Sequence, residues 1–277
     1  AAVADFMVPI AFGTQTTGSV IRPAAYCGVI GYKPTYGDFD KSGILSNSPS
    51  IDTLGLMARS IEDIRIMRNI LIEEELFLNE NLNINNFRFA FVKSPYWNKT
   101  DDDTKVNLEK FISNLIESKV DVQEIDLNNL ILESSEIHKK ISGYEFKRSI
   151  SAERFHHYNE LSDILRNGRL SDGEKMTLSD YHHLFDHLEK HKNLINEKLS
   201  SFDCIISPSA LGEALSGLEY TGSPLLNTTW TLLGLPSITL PMFTSKNNLP
   251  IGCQFISKKA DDNKLLSIAK KILLDFS

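Results

Sequence analysis

Residues 13–23 read Gly13-Thr14-Gln15-Thr16-Thr17-Gly18-Ser19-Val20-Ile21-Arg22-Pro23. The apolar run Val8 to Phe12 before Gly13 predicts a buried strand, and the residues after Ser19 predict the start of a helix, so the segment is a strand-to-helix loop. Such a loop can turn several backbone N–H groups one way, and its small residues let a ligand approach them closely, which suits an anion or a developing oxyanion. The plainer alternative is a tight turn whose Thr and Ser hydroxyls cap the helix. Gly13 and Gly18 have the spacing of a phosphate-binding P-loop, but Ser19 stands where that loop needs Lys and Val20 where it needs a magnesium-binding hydroxyl. Nucleotide binding is set aside on that ground.

Outward from the loop, apolar runs and amphipathic stretches alternate, the pattern of an α/β layer fold. Val29 to Tyr32 predicts a second strand between Gly28 and Pro34, and Ser60 caps a helix that begins Ile61-Glu62-Asp63 with acids in its first turn. Phe87 to Val92 and Val120 to Ile125 read as strands around an amphipathic helix from about Asp102 to Ser118, a β-α-β unit. Residues 127–202 are polar and helical in period, a mainly helical cover broken near Asn167-Gly168 and Asp172-Gly173. Strands return at Cys204 to Ser207, Ser237 to Leu240 and Gly252 to Ile256, and a helix from about Asp261 to Leu274 follows. The Asn-rich patch from Asn79 to Asn86 reads as a surface loop, and Ala1 to Ala4 as the tail of a helix already under way.

The 277 residues carry 29 basic and 36 acidic side chains, a net charge of −7, with 42% hydrophobic residues. That content argues for a packed core, and the lack of a basic surplus argues against direct nucleic-acid binding. Cys27, Cys204 and Cys253 are far apart and share no ligand spacing, so they read as small buried hydrophobes in a reducing, cytoplasmic setting rather than disulfides or a metal site. No apolar run approaches the roughly 20 residues that span a bilayer. His183, His187 and His191 recur every four residues with His182 beside the first; without a companion carboxylate motif they read as a solvated helix face, and no metal or cofactor is expected. Asp101-Asp102-Asp103 and Glu73-Glu74-Glu75 read as a charged helix start and a solvated surface.

Residues 13–37, from Gly13-Thr14-Gln15 through Gly18-Ser19-Val20-Ile21-Arg22-Pro23 to Lys33-Pro34-Thr35-Tyr36-Gly37, resemble the core of the amidase signature family. Asp52-Thr53-Leu54-Gly55, Thr228 with Trp230-Thr231-Leu232-Leu233-Gly234-Leu235-Pro236, and Leu249-Pro250-Ile251-Gly252-Cys253-Gln254-Phe255-Ile256 are also family-like. The resemblance implies a central mixed β-sheet covered by helices on both faces, with residues 1–277 forming the C-terminal portion of one amidase domain. It implies hydrolysis of a carbon-nitrogen amide bond by a Ser, cis-Ser, Lys triad: a neutral Lys draws a proton through the cis-Ser, and a second Ser attacks the carbonyl and forms an acyl-enzyme. The nucleophile falls on Ser19, and the oxyanion hole on the backbone N–H groups of Thr16, Thr17, Gly18 and Ser19.

Two departures from the family pattern stand out. Thr17 occupies a position usually held by Gly or Ala, and its side chain could narrow the approach to the hole. The family's Lys and cis-Ser lie upstream of the Ala-rich helix to which Ala1 to Ala4 would correspond, so both are expected to be missing here, leaving the chain inactive alone, N-terminally truncated and with exposed apolar surface. Lys33 belongs to a structural Lys-Pro-Thr element and is not expected to replace the base. The variant Gly18-Ser19-Val20-Ile21-Arg22-Pro23 resembles malonamidase-like members, in which this Arg holds a substrate carboxylate; a guanidinium can clamp a carboxylate with two hydrogen bonds, or serve a structural acid or carbonyls instead. The expectation is therefore an amidase acting on a small-molecule amide, a carboxylate-bearing one if Arg22 serves in this way. Two alternatives stay open, the amidase subunit of a tRNA-dependent amidotransferase and a non-catalytic fragment or pseudoenzyme; a homodimer is also left open. Gln15 at a position usually held by Asp, together with the Arg22 variant, tilts the reading toward a free-standing amidase.

Overall fold

The computed structural model describes residues 1–79 and 81–276, and these build one eight-stranded sheet with helices on both faces. Its strands are β1 (Ile10–Gln15), β2 (Ile30–Lys33), β3 (Thr53–Ala58), β4 (Arg88–Phe91), β5 (Asp121–Glu124), β6 (Cys204–Pro208), β7 (Ser237–Thr244) and β8 (Pro250–Ser257), in the spatial order β1-β3-β2-β7-β8-β6-β4-β5. Pairing is antiparallel from β1 to β6 and parallel in β6-β4-β5, so the sheet is mixed. The helices are α1 (Ile21–Tyr26), α2 (Ile61–Ile72), α3 (Asp102–Glu117), α4 (Asn128–Ser149), α5 (Ser151–His156), α6 (Asp163–Leu165), α7 (Ser171–Glu174), α8 (Leu178–Leu199), α9 (Thr228–Leu232) and α10 (Asp262–Phe276).

The period-2 alternation of the strands divides the core between the two faces. Phe89 and Phe91 of β4, Ile206 of β6 and Phe255 of β8 pack with Ile64, Leu115 and Ile268 of α2, α3 and α10. Their chain neighbours Ala90, Ile205 and Ile256 face the opposite way, against Ile131, Ile195, Leu199 and Trp230 of α4, α8 and α9. Ser60 caps α2 as expected, accepting from Asp63 N–H at 3.0 Å.

Several boundaries differ from the sequence reading. The first strand starts later and runs on through Gln15, because Gly13, Thr14 and Gln15 pair with Gly55, Leu54 and Thr53 of β3. Residues 1–7 form a single helical turn ended by Phe6 in the left-handed region. The Asn-rich patch is anchored by Leu78, Leu82 and Ile84, all buried, and by Asn79 N–H donating to Ser267 Oγ of α10; Glu80 lies outside the described residues. The α8 histidines are not a uniformly solvated face. His191 is buried, 2.8 Å from Ser134 Oγ and 3.0 Å from Glu133 Oε2, and His187 lies 2.8 Å from Glu133 Oε1, so this stripe packs on α4 while His182 and His183 stay exposed. The cover is interrupted at Gly168, whose φ and ψ are not helical. No helix among the described residues is long and apolar enough to cross a membrane.

β1 is an edge strand, and Phe6, Met7 and Phe12 on or beside it are 77%, 72% and 53% exposed, so the run Val8 to Phe12 is not the buried strand its apolar residues predict: it lies at the margin of the sheet. Following the loop after β1, α1 lies directly on the sheet because Gly31 of β2 and Gly252 of β8 present no side chain beneath it. A Cβ on Gly31 would stand 2.5 Å from Ala24 Cβ, and one on Gly252 2.6 Å from Ala25 Cβ. Gly31→Ala is expected to lower unfolding free energy by about 1–3 kcal/mol, the usual cost of overpacking, measured by urea denaturation; an unchanged midpoint would show that α1 can lift off the sheet.

Candidate active site

Strand β1 ends in Gln15, whose buried carboxamide folds over the loop that follows. Its Oε1 accepts from Val20 N–H at 2.8 Å and Ile21 N–H at 3.0 Å, two of the donors left over at the start of α1, and its Nε2 donates to Thr231 Oγ1 at 2.9 Å. Thr16 is held beside it by Asp52, which accepts from Thr16 Oγ1 at 2.6 Å and from the N–H groups of Asn47 and Ser48 at 2.6 and 2.8 Å. Gly18 is wedged against α9: a Cβ there would stand 2.4 Å from Asn227 Oδ1.

Three successive loop carbonyls are occupied. Thr16 O accepts from His138 Nε2 at 2.8 Å, Thr17 O from Thr231 Oγ1 at 2.7 Å, and Gly18 O from Arg22 N–H at 3.1 Å. The N–H groups of Thr16, Thr17, Gly18 and Ser19 donate to nothing among the described residues, and neither does the exposed side chain of Ser19 bond to any of them. The loop therefore presents a free hydroxyl beside a row of unspent backbone donors. This arrangement can receive a carbonyl carbon at the hydroxyl and its oxygen at the donors.

Of the residues named from sequence, Thr16, Thr17, Gly18 and Ser19 are contiguous, and Arg22 stands on the first turn of α1. Arg22 Nη1 donates to Gly222 O at 2.9 Å, while Nε is buried without a partner and no carboxylate pairs with the side chain among the described residues. Burial pushes its pKa down, with Tyr26 and Tyr220 nearby. Lys33 is fully buried and donates to the carbonyls of Pro34 and Leu235; desolvation lowers its pKa to about 7. It is a structural tie, as its place in the Lys-Pro-Thr element suggests. The Thr17 hydroxyl lies 3.4 Å from His138 Nε2, toward α4.

The sequence reading missed His138, Asn227 and the loop-holding role of Thr231. Nothing local marks His138, which sits on an otherwise ordinary polar helix. A second tie from the cover, Glu145 of α4, accepts from Ser48 Oγ, from Ser50 N–H at 3.2 Å and from Tyr181 of α8.

The amidase family model matches residues 1–266. The chain belongs to the amidase family. Over 97% of its length it is 28% identical to a glutamyl-tRNA(Gln) amidotransferase subunit from Acinetobacter baumannii, and it spans 63% of that relative. A solved amidase superposes with a TM-score of 0.88 at 23% identity, covering all of this chain and 65% of the other, which shows the fold. The corresponding glutamyl-tRNA(Gln) amidotransferase subunit of Thermotoga maritima superposes with a TM-score of 0.83 at 25% identity, covering 99% of this chain and 64% of that one. The mixed sheet covered by helices is thus the amidase fold, in a chain spanning less than two thirds of these relatives.

Burial lowers the pKa of His138 from 6.5 to about 4; its bond to Thr16 O and the charge of Asp52 oppose that shift, and Arg169 adds to it. Folding thus keeps the ring neutral, and the unfolded chain takes up the proton first. Stability is undiminished above about pH 6.5, falls as the pH drops below that value, and the loss is complete near pH 4. Between pH 7 and pH 5 the wild type is expected to lose about 2 kcal/mol more than His138→Gln in urea unfolding. Parallel losses would show that His138 is not buried as a neutral ring.

Proposed function

We propose that residues 1–277 are the nucleophile-bearing portion of an amidase domain, with the helices of residues 127–202 as its cover. The observation that carries this reading is the exposed Ser19 hydroxyl beside the unspent N–H groups of Thr16, Thr17, Gly18 and Ser19. Ser19 Oγ attacks the carbonyl carbon of a small-molecule amide, and the negative charge that collects on the carbonyl oxygen is met by those donors. The carbon-nitrogen bond breaks, the nitrogen leaves with a proton as ammonia or an amine, and water then releases the acid from the Ser19 ester. Losing one such donor typically costs about 2.7–4 kcal/mol in the barrier.

No basic side chain hydrogen-bonds Ser19 among the described residues, and no peptide bond among them is cis. The family resemblance assigns that work to a Lys and a cis-Ser outside these residues, so the chain alone is inactive on this reading, a catalytic portion without its relay. The orphaned Nε of Arg22 supports a carboxylate-bearing amide as substrate.

A second reading, an amidotransferase component that takes ammonia from glutamine, is favoured by the 28% identity to the Acinetobacter baumannii amidotransferase chain. Co-purification with partner subunits would favour it, and a stable homodimer or a lone chain would favour the free-standing amidase.

The 277-residue chain is expected to release no ammonia above background from malonamate, glutamine or propionamide. Joined to the preceding segment of a related amidase, it should gain turnover that Ser19→Ala lowers about a thousandfold or more. Restored turnover indifferent to Ser19→Ala would remove Ser19 as nucleophile. In the same chimaera Arg22→Ala should cost at least about tenfold more on malonamate than on propionamide, and equal losses would sink the carboxylate role.

A further inference from the structure

A trans peptide holds its C=O and the following N–H in opposite directions, so whatever grips the oxygen also aims the hydrogen. All described peptides in the loop are trans. Gripping Thr16 O therefore aims Thr17 N–H, gripping Thr17 O aims Gly18 N–H, and gripping Gly18 O aims Ser19 N–H. Two of the grips come from segments within the family-like motifs: Thr231 from α9 and the Arg22 N–H from α1. The third comes from the helical cover, where His138 of α4 reaches Thr16 O at 2.8 Å across 122 residues of sequence.

The geometry points to His138 as a positioning residue of the oxyanion loop: by donating Nε2–H to Thr16 O it turns the N–H of Thr17 away from α4 and toward the space beside Ser19. This rests on reading the loop as an oxyanion hole. The ring is 5% exposed, so water cannot readily take over its bond, and a neutral imidazole with its proton on Nε2 is the form that donates to a carbonyl. The same ring faces the Thr17 hydroxyl at 3.4 Å. That explains how a Thr is accommodated beside the hole: its side chain is turned toward the cover.

Residues around the ring keep the arrangement specific. Asp52 holds the Thr16 hydroxyl from the side of β3, while among the described residues the Thr16 carbonyl is bonded by His138 of the cover. Glu145, two turns further along α4, ties the same helix to Ser48 and Ser50 and fixes the height from which His138 reaches the loop. A substitution at position 138 thus acts on an N–H group it never touches.

Nitrogen-15 NMR of the 277-residue chain tests this without any turnover. The wild type should show His138 as the Nε2–H tautomer with a slowly exchanging ring proton; the Nδ1–H tautomer would overturn the inference. In His138→Leu the Thr17 N–H residual dipolar coupling should change while those of Gly18 and Ser19, gripped by Thr231 and Arg22, hold. His138→Gln, whose amide nitrogen can stand near the position of Nε2, should restore the wild-type Thr17 coupling. An unchanged Thr17 coupling in His138→Leu would overturn the inference, and so would equal changes in both variants.

Phenylboronate, offered to the chimaera that carries the preceding segment of a related amidase, then separates the inference from the reading beneath it. Its boron accepts a bond from Ser19 Oγ, whose proton passes to solvent, and becomes a tetrahedral anion. Affinity should fall about tenfold or more in His138→Leu and recover to within about threefold in His138→Gln. A chimaera that turns over amide yet binds no boronate, when the chain shows the expected tautomer and couplings, would defeat the oxyanion-hole reading and leave His138 as the residue that orients Thr17.

Discussion

The shape of the loop depends on one carboxamide. Gln15 sits at the end of an edge strand, and its side chain does three things at once: it accepts from Val20 N–H and Ile21 N–H and donates to Thr231. Without it, two buried donors at the start of α1 would stand unpaired, at a cost of about 1–3 kcal/mol each. An aspartate, usual at this position in the family, could accept from the helix start but has no hydrogen to give Thr231. Here the strand end, the helix start and α9 are joined through a single neutral group, and the residues between them have little freedom left.

That constraint works because the backbone can come close. Gly31 and Gly252 let α1 rest on β2 and β8, which fixes where the helix start lies, and Gly18 fits against Asn227 where any side chain would collide. The remaining freedom of the loop is removed from outside by Asp52, by Thr231 and by the cover through His138. The Ser19 hydroxyl is the exception. Ser19 is exposed and unbonded on a segment whose neighbours are nearly all tied down, the arrangement expected where a reactive group must be presented rather than buried.

Much of this was legible in the sequence, and the limits follow from distance along the chain. The strand-loop-helix at Gly13 to Pro23 is written in local periodicity and turn residues, so its character and its family resemblance could be read directly. The alternation of Phe89, Ala90, Phe91 and Val92 and the Ser60 cap are equally local. β3 escaped notice because Gly55 interrupts the apolar run of Thr53 to Ala58 and its partners, β1 and β2, are set by tertiary pairing. His191 looked like surface because a four-residue spacing says which side chains share a helix face, not what that face meets; it meets Glu133 and Ser134 of α4. His138 could not be found at all from the residues around it, since its meaning lies in one contact with residue 16.

The buried carboxylate of Asp262, at the start of α10, bears on how this chain can be made. It accepts from Tyr32 Oη, from Thr35 N–H at 3.0 Å and from Thr35 Oγ1, and so secures the far end of the motif that begins at Gly13. β2 in turn pairs with Ser237, Ile238 and Thr239 of β7. On a ribosome, the early motif therefore emerges long before the partners that hold it, and residues 10–35 must wait, unfinished, for residues 237–262. Contacts of such sequence separation form slowly and leave strand edges uncovered in the interval. The segment that carries Ser19 is synthesised more than 200 residues ahead of the partners that lock it in place.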